Sequence, residues 1–169
     1  MAMATTVEQH PAETLNGAAH GGAEIPVENP ATGEIIAKVP DLDREAVAAM
    51  AQRARAAQPA WQQIGFEGRG RVLLRAQKWL MDNSKQVIET IVSETGKTYE
   101  DAEFAEIAYG ANAFGFWARE APNYLKDERV KSSQLLVKGK KLQLRYRPLG
   151  LIGVVGPWNY PLTNSFGDC

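Results

Sequence analysis

A chain of 169 residues, 44% apolar and 23% charged, has the makeup of a globular protein with a core to bury. Nineteen Lys and Arg balance 20 Asp and Glu, which excludes a strongly basic nucleic-acid binder, and no apolar run is long and unbroken enough to span a bilayer. A single cysteine, Cys169, excludes an internal disulfide framework and a multi-cysteine zinc site, and points to a reducing, cytoplasmic setting.

Residues 1–24 hold almost no large apolar side chains and are expected to form a disordered leader. They lack the basic start and apolar stretch of a secretory signal. Both histidines, His10 and His20, lie in this leader. No Ser-His-Asp, Cys-His or histidine-rich metal site can therefore be built from residues 25–169.

Order is expected from Ile25. Asn29-Pro30-Ala31-Thr32-Gly33 is turn chemistry between two short apolar runs, so residues 25–40 read as a β-hairpin. Four helices follow. The first covers about Asp43–Ala57, with Val47, Met50, Ala51 and Ala54 on one stripe and Pro59 as its stop. The second, about Glu67–Asp82, lines up Val72, Leu73, Ala76 and Leu80. The third starts at Asn83 or Ser84, buries Val87, Ile88, Ile91 and Val92, and ends at Gly96. Thr98 caps the fourth, with Asp101 placed as in a capping box; Ala102, Ala105, Ala108, Tyr109 and Phe116 form its stripe and Pro122 breaks it.

Beyond Pro122 the period becomes two. Leu142, Leu144 and Tyr146 alternate with Gln143, Arg145 and Arg147, and Gln134–Val137 is expected to pair with them through Lys138-Gly139-Lys140. Leu149–Gly156 is apolar on both faces, as in a strand of a parallel α/β sheet. Residues 162–169 read as the first turns of a helix. A parallel strand needs neighbours of its own kind, so the chain reads as the front part of a longer protein.

Four motifs carry candidate chemistry. Thr95-Gly96-Lys97-Thr98 ends like a phosphate loop, but Ile91 stands where that loop needs a glycine, and a helix stop followed by a cap explains all four residues. The spacing of Gly150, Gly153 and Gly156 does not match the dinucleotide fingerprint; glycines there permit a close backbone approach. Lys138, Lys140, Lys141, Arg145 and Arg147 form a basic cluster that suits a solvated face or a subunit contact. Gly156-Pro157-Trp158-Asn159-Tyr160-Pro161 follows the apolar strand, where open α/β sheets bind ligands. Two prolines stiffen it, and an amide held in such a crevice can stabilise an oxyanion. A tight turn with a buried Trp and a capping Asn accounts for the same residues.

The run Arg145-Tyr146-Arg147-Pro148-Leu149-Gly150-Leu151-Ile152-Gly153-Val154-Val155-Gly156-Pro157-Trp158-Asn159-Tyr160-Pro161 resembles the signature of the aldehyde dehydrogenase superfamily. Asn29-Pro30-Ala31-Thr32-Gly33-Glu34, Trp61 after an Ala-rich helix, Arg69-Gly70-Arg71-Val72-Leu73 and Glu94-Thr95-Gly96-Lys97 agree in order, so the similarity covers residues 25–169. It implies an α/β, aldehyde-dehydrogenase-like Rossmann-type fold, present as an amino-terminal fragment. Residues 25–133 would be the first hairpin and helices of the cofactor-binding domain, 134–148 an oligomerisation-type β-hairpin arm, and 149–169 the first parallel strand of an incomplete sheet.

The resemblance further implies oxidation of an aldehyde to an acid or acyl thioester, with NAD or NADP taking hydride from a cysteine thiohemiacetal. Asn159 matches the residue that holds the oxyanion, and Val155, Gly156, Pro157 and Trp158 match residues lining the cofactor cleft. The nucleophilic cysteine and general-base glutamate of the family have no counterpart here; Cys169 reads as a small helix residue. The fragment is thus expected to be inactive alone, and the intact protein to be a homodimer or homotetramer. The alternative is a non-catalytic helical and hairpin interaction module derived from such an enzyme.

Overall fold

The computed structural model describes residues 23–137 and 139–167. Most of the expected leader with both histidines, Lys138 of the basic cluster, and Cys169 lie outside the described residues.

The chain opens with strands β1 (Glu24–Glu28) and β2 (Ile35–Pro40), paired antiparallel as expected, with Ile25 opposite Val39 and Val27 opposite Ala37. The turn forms because Asn29 Oδ1 accepts the Ala31 N–H at 2.9 Å while Gly33 takes a positive φ of 74°. Helices α1 (Arg44–Gln63), α2 (Gly65–Asp82) and α3 (Ser84–Thr95) follow. Asp43 caps α1 by accepting the Ala46 N–H at 2.7 Å.

Pro59 does not stop α1. Its fixed φ is compatible with a helix, and among alanines and glutamines the helix continues one further turn to Gln63. The stripe read into α1 is also not a core face: no residue of α1 is buried, and Val47 and Met50 are exposed. Arg69 ties the end of α1 to α2 by donating to the Trp61 and Gln62 carbonyls, both at 3.3 Å.

Gly96 ends α3 in the left-handed conformation, φ 73°, and its N–H is bonded to the Val92 carbonyl. Thr98 Oγ1 then accepts the Asp101 N–H at 3.2 Å and starts the next helical rod. The rod comprises α4 (Tyr99–Asp101), a π-helical segment Ala102–Ala108, and α5 (Tyr109–Tyr124). The capping box is half formed, because the Asp101 carboxylate pairs with Lys97. Pro122 sits inside the last turn, which runs on to Tyr124.

The π segment changes which face is buried. It turns more slowly than an α-helix, with more than about 3.6 residues per turn, so positions beyond it are rotated relative to a straight α-helical projection. Ala102, Glu106, Ile107, Gly110, Ala111 and Phe114 face inward, whereas Ala108, Tyr109 and Phe116 of the expected stripe are exposed.

The core is helical. Leu80 of α2, Ile88 and Ile91 of α3, Ala102 and Ile107 of the π segment, and Ala111 and Phe114 of α5 close on one another. Each large aliphatic or aromatic side chain withdrawn in this way stabilises the fold by about 1.5–3 kcal/mol. α2 and α5 approach closely at Gly70, where an added Cβ would lie 2.8 Å from the Ala118 carbonyl oxygen.

A second antiparallel pair, β3 (Glu128–Val130) and β4 (Leu142–Leu144), joins Glu128 to Leu144 and Val130 to Leu142. The expected partner of β4, Gln134–Val137, instead holds a 3-10 turn at Leu135–Val137, with Leu135 and Leu136 exposed. Polar cross-strand pairs select the earlier segment. Asp127 accepts from Gln143 at 2.7 Å and from Arg145 at 3.1 Å, and the Tyr146 hydroxyl donates to Glu128 at 2.9 Å. The hairpin therefore begins before residue 134.

Residues 149–156 form no strand. Leu149 and Val155 are 89% and 98% exposed, as expected of sheet chemistry without a neighbouring ladder among the described residues. Helix α6 (Pro161–Phe166) closes the described chain, with Phe166 packed on Phe114 at 4.1 Å between ring centroids.

Candidate functional site

The loop before α6 carries all five residues singled out for chemistry: Val155, Gly156, Pro157, Trp158 and Asn159. Pro161 occupies the first turn of α6, where its missing N–H costs nothing. The residue before it, Tyr160, has no side-chain acceptor aimed at the helix, so the first backbone N–H groups need a partner from elsewhere.

That partner is Glu106. Its Oε2 accepts the N–H groups of Leu162 and Thr163 at 3.1 and 2.8 Å, and the Thr163 hydroxyl donates to the Ala105 carbonyl at 2.6 Å. The π segment thus anchors the start of α6 at three points. Glu106 is completely buried, and its second oxygen, Oε1, lies 3.1 Å from the Lys97 ammonium. Lys97, only 11% exposed, also meets Asp101 Oδ2 at 3.0 Å and sits 3.9 Å from the centroid of the Tyr160 ring. Asp101, Lys97, Glu106 and Tyr160 therefore form a continuous chain of contacts from the corner after α3 to the residue next to Asn159.

Burial alone lowers the pKa of the Lys97 ammonium. Hydrogen bonds to Asp101 and Glu106 and their charges outweigh it, so the group lies above its ordinary value of 10.5. A lysine raised in this way contributes its full stabilisation below its unfolded pKa, and loses it as pH rises through the folded one. The stability difference between the protein and Lys97→Met is expected to be constant up to about pH 10 and to shrink above it. Denaturant titrations at a series of alkaline pH values check this; a difference that stays constant to higher pH contradicts it.

Trp158 is 81% exposed and Asn159 is also exposed. The Asn159 side chain makes no hydrogen bond among the described residues and does not cap α6. A turn built around a buried Trp and a capping Asn is therefore not what forms here; the cap is Glu106, and the Asn159 amide is left uncommitted. Gly156 fulfils the close-approach role expected of it. A Cβ there would overlap Ser165 Oγ and lie 2.9 Å from Ser165 Cβ. Gly156→Ala is expected to push the loop from α6 at a cost of about 1–3 kcal/mol, read as a lowered denaturation midpoint. Gly150 and Gly153 have open space around them.

The remaining candidates separate. Phe114 belongs to the core, whereas Phe116 and Trp117 stack edge-on at the surface, 5.0 Å apart. In the basic cluster Arg145 is paired with Asp127, and Lys140, Lys141 and Arg147 are exposed. No group of acidic, histidine or cysteine side chains among the described residues can hold a metal. No helix there is long and apolar enough to cross a membrane. An open groove of about 350 Å³ runs between Trp79, Val87, Ile91 and Leu162, and residues 155–159 do not line it.

Sequence reasoning missed Glu106 and Lys97 as parts of this site. The available signal was a carboxylate set between Ala102 and Ile107, on a face otherwise made of apolar residues.

The profile of the aldehyde dehydrogenase family matches residues 18–168. A malonate-semialdehyde dehydrogenase of Geobacillus thermodenitrificans is 31% identical over 145 residues, 86% of this chain and 29% of that protein. A betaine aldehyde dehydrogenase of Vibrio vulnificus is 31% identical over 134 residues, 79% of this chain and 26% of that protein. Among solved structures, the succinate-semialdehyde dehydrogenase of Burkholderia pseudomallei superposes with a TM-score of 0.78 at 26% identity, over 89% of this chain and 30% of that one. The chain thus spans under a third of the length of the relatives it matches.

Proposed function

Because the chain belongs to the aldehyde dehydrogenase family, we propose that it supplies the oxyanion-binding loop and one wall of the cofactor cleft of an NAD- or NADP-dependent aldehyde oxidation site. The observation that carries this is the Asn159 amide, exposed, uncommitted, and set in a loop pinned on both sides. Pro157 and Pro161 restrict the backbone, and Glu106 fixes the helix that comes next.

The chemistry asked of Asn159 is donation of an amide N–H to the oxygen of an aldehyde carbon under nucleophilic attack. Negative charge grows on that oxygen only as the tetrahedral adduct forms, so the interaction favours the transition state over the bound aldehyde. A donor whose backbone is already placed has less to rearrange at that moment, which is what the stiff loop contributes.

The fit to a dinucleotide rests on the exposed backbone of Val155–Pro157 and the open face of Trp158. At Gly156 the chain lies so close to α6 that no side chain intrudes. These residues would hold the dinucleotide on one side; when bound, it is the hydride acceptor. The nucleophilic cysteine and the glutamate base have no match in this segment, so residues 1–169 alone are expected to be inactive. We assign the β3–β4 hairpin, with exposed Leu135 and Leu136 beside it, to subunit contact in a homodimer or homotetramer.

The test is cofactor reduction by the full-length protein, with NAD and with NADP, against semialdehydes, betaine aldehyde and an aromatic aldehyde. Turnover with at least one pair supports the reading, provided residues 1–169 alone give none. No reduction with any pair rules it out.

A further inference from the structure

We infer that Glu106 and Lys97 act as positioning residues for Asn159, setting the oxyanion loop from beneath through the start of α6 and the ring of Tyr160. This deepens the assignment of Asn159 as the oxyanion donor and rests on it. The Asn159 side chain has no hydrogen-bond partner among the described residues, so its placement depends on the backbone and on the residues just after it. Tyr160 is held by the cation beneath its ring, 3.9 Å from Lys97 Nζ. Leu162 and Thr163 are held by the carboxylate that pairs with that same cation.

The arrangement is more specific than a structural ion pair requires. A buried Lys and Glu could satisfy one another and end there. Here Glu106 divides its two oxygens, one for Lys97 and one for the paired N–H groups of α6. Lys97 divides likewise between Asp101, Glu106 and the Tyr160 ring. Lys97 therefore touches the loop itself, at Tyr160, and Glu106 holds the first turn of α6 just behind it, while both side chains lie below the surface, away from the exposed Asn159. Their effect on chemistry must pass through the loop.

Glu106→Gln keeps an acceptor oxygen for Leu162 and Thr163 but sets an amide N–H against the Lys97 ammonium. Lys97→Met keeps the apolar stem and removes the cation under Tyr160. In the full-length protein each is expected to lower kcat about tenfold to a hundredfold, the scale of a small misplacement of a catalytic group, with the cofactor KM unchanged. The deciding measurement is a double-mutant cycle with Asn159→Ala. If the two residues act through Asn159, either substitution costs less than about twofold in kcat once Asn159 is already alanine. Lys97→Arg, which restores the cation, should recover part of the loss.

Full, additive losses in the Asn159→Ala background overturn the inference, as does wild-type kcat in Lys97→Met. Should Glu106→Gln fail to fold, Lys97→Met decides alone. If Asn159→Ala by itself leaves kcat unchanged, the oxyanion reading falls and takes this inference with it, a result distinct from additivity.

Discussion

Asn159→Ala is expected to lower kcat of the full-length protein by about a hundredfold to a thousandfold, the usual loss when one oxyanion donor is removed. KM for the aldehyde should change little, because the neutral carbonyl gains less from the amide than the charged adduct does. Thermal stability should also be unaffected, since the side chain is exposed and makes no hydrogen bond among the described residues. Steady-state kinetics beside a melting curve check all three. A rise in KM at constant kcat would instead make Asn159 a simple binding residue.

Glu106→Leu is expected to cost about 3 kcal/mol or more of folding stability, the scale of breaking a buried ion pair by deleting one partner. Two losses combine. The Lys97 ammonium keeps the Tyr160 ring and a single carboxylate, the partly exposed Asp101, and the N–H groups of Leu162 and Thr163 lose their acceptor. Leucine is close in size to glutamate, so no large cavity contributes, and the cost reports the polar contacts. The shift in denaturation midpoint measures it; a change below about 1 kcal/mol would mean that water or Asp101 replaces the carboxylate at little cost.

What the sequence disclosed was local. The turn at Asn29–Gly33, the left-handed Gly96 and the Thr98 cap each depend on contacts within a few residues, and each formed where expected. Helices α2 and α3 were legible because their apolar stripes face the core. α1 shows the limit of that rule, since its stripe has the right period but is not buried among the described residues. The partner of β4 was misread for another reason. Leu135–Val137 is apolar and close to Gly139, but Asp127 and Glu128 bond to side chains 16 and 18 residues away, and these select the earlier strand.

The candidate loop was legible from its prolines and its place after an apolar run, and the resemblance then named Asn159. Its support was not. Glu106 lies more than 50 residues before the backbone groups it binds, and a straight α-helical projection misplaces the face that carries it. No period or short motif encodes a π turn, so a correct helix prediction still assigned Tyr109 and Phe116 to the wrong side.

The separation between Glu106 and α6 bears on the order of assembly. The bundle from Gly65 to Tyr124, including the packing of α2 on α5, is complete in the chain before α6 begins. Lys97, nine residues from Glu106, is available to the carboxylate at that stage, whereas Leu162 and Thr163 emerge from the ribosome later. The bundle thus waits with one oxygen of a charged latch still unfastened, and the candidate loop takes its shape only when α6 arrives to close it.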